Sequence, residues 1–136
     1  MEISLLALIP FYLIYIAILG IHMFKIRVKA VRDGKISTGY FKTYQGEVPR
    51  EVMQVGNHFN NQFQVPPIFF ITVLAVILLD SVSLTQVILA YSFVLSRLAH
   101  TYIHLGSNKL YLRAGFYFLG VVILITMWFT IILTHL

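Results

Sequence analysis

The residues best equipped for chemistry fall in two short stretches. Arg97, His100 and His104 are spaced i, i+3, i+7, and Asn57, Asn61 and Gln64 are spaced i, i+4, i+7. At about 100° per residue, each set lies on one face of a helix. A guanidinium presents a fixed fork of donors to an anion. Two imidazoles one turn apart can share a metal ion, and two from different helices, such as His22 with His100 or His104, can ligate a haem iron. No Asp, Glu or Cys stands near them in the sequence, so no metal site is expected. Amides either bind a peptide-like ligand or join helices through hydrogen bonds of roughly 0.6–2 kcal/mol each. His58 and His135 read as interfacial residues, and Tyr12, Tyr15 and Tyr40 as aromatic-belt or loop residues.

The chain that must position these groups is strongly apolar. Of 136 residues, 59% are hydrophobic and 11% charged, against roughly 45–50% and 25% in soluble domains. With no cysteine, disulfides, iron–sulfur clusters, thiolate zinc sites and a cysteine nucleophile are excluded. A net charge of +5 is compatible with nucleic acid, but long apolar runs make a lipid bilayer the better partner, and none is expected with nucleic acid. The length allows one domain, residues 1–136.

Four spans are expected, at residues 3–24, 54–79, 84–105 and 114–133, with a basic loop at 25–50. The first is followed rather than preceded by positive charge, so it reads as a retained span. Pro66 and Pro67 predict a bend near Gln62 and Phe63. The loop at 25–50 carries seven Lys/Arg, and Lys109 and Arg113 flank the third connection. By the positive-inside rule both face the cytoplasm and both termini lie on the other side, in a membrane expected to be a bacterial inner membrane. Counted from residues 79 and 84, Gln64 and Arg97 lie at depths differing by about 3 Å. Asn61, His100, His22 and His104 fall close by, which predicts a polar crevice on the cytoplasmic side.

Two stretches carry a resemblance to a known family. Asn57-His58-Phe59-Asn60-Asn61-Gln62-Phe63-Gln64-Val65-Pro66-Pro67 resembles the second-helix pattern Arg-x-x-x-Asn-x-x-Glu, followed by proline, of the membrane-associated proteins in eicosanoid and glutathione metabolism (MAPEG). Arg97-Leu98-Ala99-His100-Thr101-Tyr102-Ile103-His104, with Arg113-Ala114-Gly115-Phe116-Tyr117, resembles the family's third-helix Arg-x-x-His/Tyr segment and the start of its fourth helix. An uncharacterised bacterial branch is the nearest in look. The resemblance implies an all-α integral membrane four-helix bundle, assembled as a homotrimer with glutathione between subunits. It assigns Lys25, Arg27, Asn61, Gln64, Arg97, His100, His104 and Tyr117 to glutathione binding, and Arg113 to the catalytic role of stabilising its thiolate. Gln64 stands where the family has an acid, Asn57 where it has an arginine, and Ala114 where some members have a serine.

Two functions follow as expectations. One is a glutathione-dependent transferase or peroxidase, with glutathione as co-substrate and a lipophilic electrophile arriving from the bilayer. The other, suggested by Gln64 and Asn57, is a non-catalytic accessory or scaffold subunit of the same fold. A channel or transporter finds little support, because no pair of broken helices recurs in matching halves.

Overall fold

The computed structural model describes residues 1–136 as seven helices and no strand: α1 (Glu2–Leu6), α2 (Leu8–Arg32), α3 (Tyr40–Thr43), α4 (Arg50–Asn61), α5 (Pro66–Leu78), α6 (Leu84–Leu105) and α7 (Leu110–Thr134). Three stretches are long and apolar enough to cross a membrane: Glu2–Arg32, Arg50–Leu78 and Leu110–Thr134. The 22-residue α6 buries Gln86, Ser96, Arg97, His100 and His104, and this polar load keeps it out of that set. Large apolar side chains such as Ile14, Ile18, Ile125 and Phe129 remain exposed, as befits an integral membrane protein whose solvent is partly hydrocarbon.

Local chemistry sets where the helices stop. α2 runs eight residues past the expected end at position 24, because nothing breaks it before Asp33 and Gly34, whose φ is 69°. The Ser83 hydroxyl accepts from the Gln86 amide at 3.2 Å and caps α6, satisfying one orphan donor of its first turn. At the other end Gly106 terminates α6, and Asn108 takes a left-handed φ of 51°, which asparagine tolerates better than most residues.

The break between α4 and α5 spans Gln62 to Val65, where the prolines predict it. The Gln62 amide turns to the Phe59 carbonyl at 3.0 Å. Its side-chain Nε2 donates instead to the His58 carbonyl at 3.3 Å, so one side chain replaces the helical bond that the break removes.

α6 packs along α7 and against α4; α2 packs on α4, and α5 on α7. Towards the end that carries residues 79–84, the interior is apolar. Phe69 stacks on Phe93 at 4.4 Å, and Val73, Val76, Met127 and Ile131 complete this layer. Within lipid, such a layer is held by dispersion in close packing rather than by expulsion of water. Towards the opposite, basic end the interior turns polar. Beyond it a small second core of Ala30, Ile36 and Val52 fastens α3 and the start of α4 to the end of α2.

Candidate functional site

The polar interior is assembled by α2, α4, α6 and the start of α7. α4 turns inward the face that holds Val52, Val55 and His58, and Gln62 follows on the same side at the break; all four are buried. His58 meets His100 and His104 of α6, with ring centroids at 5.8 and 4.9 Å. The Tyr12 hydroxyl donates to Gln62 Oε1 at 2.9 Å. Thr101 Oγ1 donates to the Arg97 carbonyl at 2.9 Å, meets His58 Nε2 at 3.0 Å and also bonds the Tyr15 hydroxyl. Three helices are thereby tied by one hydrogen-bonded chain.

Arg97 lies at the centre and is 0% exposed. Its stem rests on α7 at Gly120, where an added Cβ would sit 3.7 Å from Arg97 Cδ. Its guanidinium carbon is 5.8 Å from the Tyr117 ring, a cation–π distance. All three guanidinium nitrogens lack a hydrogen-bond partner. The only ion pairs are Arg32–Asp33 and Lys35–Glu51, both at the surface, so no acid answers this charge. Leaving such a fork unpaired costs several kcal/mol.

Arg113 joins the cluster from the first turn of α7. Its Nη1 donates to Asn108 Oδ1 at 3.0 Å and approaches His104 Nε2 at 3.4 Å. Its carbonyl accepts from His100 Nδ1 at 3.0 Å. The left-handed turn at Asn108 therefore sets the arginine's place. Gln54 of α4 donates to the His104 carbonyl at 2.5 Å and closes the basic end of the cluster.

The remaining residues expected at the site lie around this core rather than in it. Arg27 reaches the basic-end rim: its guanidinium carbon is 5.2 Å from the Phe41 ring, and a Cβ on Gly56 would meet its Nη2 at 3.3 Å. Lys25 is exposed, Asn61 and Tyr117 are half-buried, and Asn57 and Gln64 are exposed. Asn57, Asn60 and Gln64 thus form an amide strip on the outer surface of a membrane-capable stretch, turned away from Arg97. An apolar groove of about 450 Å³ lies between the start of α5 and α7, lined by Val65, Val121, Leu124 and Trp128 among others.

Several expectations need correction. His58 is 1% exposed and central, not interfacial. Tyr12 is buried and Tyr15 half-buried in the same network, rather than in an aromatic belt. His22 is exposed; ten residues on from Tyr12 it points about 80° away from the buried face of α2, so its ring is not part of the buried hydrogen-bonded cluster. The missed signal was apolar: Val55, His58 and Gln62 are spaced i, i+3, i+7, so the face that buries Val52 and Val55 carries both polar groups inward.

The family model described as MAPEG family matches residues 5–133. Neither the curated proteins nor the solved structures include a match.

Proposed function

The chain belongs to the MAPEG family, and from that premise we propose that it is a glutathione-dependent enzyme adding the thiol to a lipophilic electrophile, or reducing a lipid hydroperoxide. The observation that carries this reading is Arg97, a fully buried guanidinium with no acid to answer it. A ligand carboxylate completes it with charge-assisted hydrogen bonds. Glutathione brings two carboxylates, and its amides suit the Asn61 and Gln64 side chains. Lys25 and Arg27 at the basic rim attract the acidic tripeptide, while His100, His104 and Tyr117 line its bed.

Arg113 is the catalytic cation. A thiolate is the nucleophile, and an adjacent guanidinium favours it over the thiol. The thiol proton leaves to solvent, the thiolate forms the new C–S bond, and the electrophile's displaced electrons leave with its leaving group or take up a proton. The apolar groove by Val121 and Trp128 suits a substrate drawn laterally from the bilayer.

The amide strip bears on assembly. Asn57, Asn60 and Gln64 are exposed on a stretch suited to hydrocarbon, where lipid offers amides no partner. A neighbouring subunit supplies one, which favours a homotrimer of four-helix bundles with glutathione at the junction. α6 then crosses as the fourth span, its polar face inward, and the basic end faces the cytoplasm.

Calorimetric titration of glutathione into the purified protein tests the reading. Binding is expected, with loss in Arg97→Leu; no heat at millimolar glutathione would sink it. A second reading, a non-catalytic scaffold, draws on Gln64 and Asn57, the uncharged residues at positions the family charges. It predicts that Arg113→Ala leaves any cellular phenotype intact, and thiolate absorbance of bound glutathione that vanishes in Arg113→Ala refutes it.

A further inference from the structure

His58, His100 and His104 each offer one ring nitrogen such that the three lie within 4.8 Å of one another. All three rings are buried, on two helices held together by Gln54 and Thr101. Each ring is anchored through one nitrogen and idle at the other. His58 Nε2 meets Thr101 Oγ1 at 3.0 Å, and His100 Nδ1 meets the Arg113 carbonyl at 3.0 Å. His104 Nε2 faces Arg113 Nη1 at 3.4 Å. His58 Nδ1, His100 Nε2 and His104 Nδ1 have no partner. Buried ring nitrogens are rarely left so, and three in one place are a stronger sign than any one.

We propose that His58, His100 and His104 bind a transition-metal ion of borderline softness, zinc in the first instance, through three neutral imidazoles with the fourth position open. Three histidines with an open position form a known zinc ligand set, and imidazole suits zinc well. Anchoring one ring nitrogen on a carbonyl or hydroxyl fixes the tautomer that leaves the other free to ligate. His100 already has this arrangement. His58 Nε2 faces both the Thr101 hydroxyl at 3.0 Å and the Gln62 amide nitrogen at 3.2 Å; ligation through Nδ1 puts its proton on Nε2 toward Thr101, while Gln62 keeps the His58 carbonyl. Ligation through His104 Nδ1 puts the proton on Nε2, and Arg113 then holds Asn108 alone. Tetrahedral bonds of about 2.0–2.1 Å need ring nitrogens about 3.4 Å apart, so metal binding draws the three rings in from their present spacing.

Charge decides the rest of the site. Arg113 faces His104, Arg97 lies one turn before His100 on the buried face of α6, and the only ion-paired acids, Asp33 and Glu51, are at the surface. The open position therefore suits an anion, such as hydroxide, which offsets part of this positive charge. The inference goes beyond the glutathione reading, since metal uptake is measured with no glutathione present and either can fail alone.

The test loads the purified full chain, stripped with a chelator, with Co²⁺ or Zn²⁺ alone. One equivalent per chain is expected, and cobalt is expected to show the intense visible bands of a four-coordinate site. His58→Gln is expected to abolish those bands. Thr101→Val, which keeps all three ligands but releases one anchor, is expected to weaken binding by about 10–100-fold. The double variant His22→Ala/His135→Ala is expected to bind as before. The proposal is overturned if no four-coordinate cobalt spectrum appears, if Thr101→Val binds unchanged, or if binding disappears with His22 and His135.

Discussion

The inward and outward faces of α4 make opposite use of similar residues. Inward, His58 and Gln62 are buried and bonded to Thr101 and Tyr12 of neighbouring helices. Outward, Asn57 and Gln64 are exposed and have no partner within the chain. The inner face is bonded to neighbouring helices of the same chain, whereas the outer face is not. A second contrast crosses it, between the polar layer around Arg97 and the apolar layer around Phe69 and Phe93. Close packing holds the apolar layer, whereas the polar layer carries an unanswered charge, which is costly.

The largest effect is expected in the apolar layer. Phe69→Ala removes a fully buried ring stacked at 4.4 Å, and thermal unfolding in detergent should show a loss of about 3 kcal/mol. Arg97→Leu should act in the opposite sense. It removes a buried unpaired charge and is expected to stabilise the unliganded protein by about 2 kcal/mol while eliminating glutathione binding. If it destabilises instead, Arg97 has a partner and the contrast between the layers fails.

Smaller effects distinguish the faces of α4. Tyr12→Phe strips Gln62 Oε1 of its donor, and its unfolding midpoint should fall by the equivalent of about 1.5 kcal/mol. Gln64→Glu, on the outward face, breaks no bond within the chain and should leave the stability of the isolated subunit within about 0.5 kcal/mol. It restores the acidic residue of the family pattern and is expected to tighten glutathione binding about fivefold, the roughly 1 kcal/mol by which a charged acceptor exceeds a neutral one. A large stability change in the isolated Gln64→Glu subunit would mean that this side chain has a partner within the chain, and calorimetry that finds no tightening would weaken the glutathione reading.

How far the sequence could be read depended on how local each signal was. Ser83 and Gly106 bound α6 within their own turns, and Pro66 and Pro67 mark the break by the hydrogen bonds they cannot make. The family could be recognised because its motifs are contiguous stretches around Asn61 and Arg97. His58 could not be placed from polarity alone. Two polar faces of α4 compete, and the choice is made by Val52 and Val55 packing inward, a tertiary preference that the spacing of amides does not express. Tyr12 was hidden similarly: its burial needs Gln62, which lies 50 residues away.

The length of the first helical stretch has a mechanical consequence. Glu2–Arg32 holds 31 residues, about 46 Å of helix, against a hydrocarbon thickness of about 30 Å. Fitting all of it inside would need a tilt near 50°, beyond the usual range of 0–40°. The surplus of roughly 16 Å must stand clear of the acyl chains, and it is the part that carries Lys25, Arg27, Lys29 and Arg32. Membranes that differ by several ångströms in thickness can therefore be accommodated by shifting or tilting the bundle as a whole, without dragging a charge into the oil.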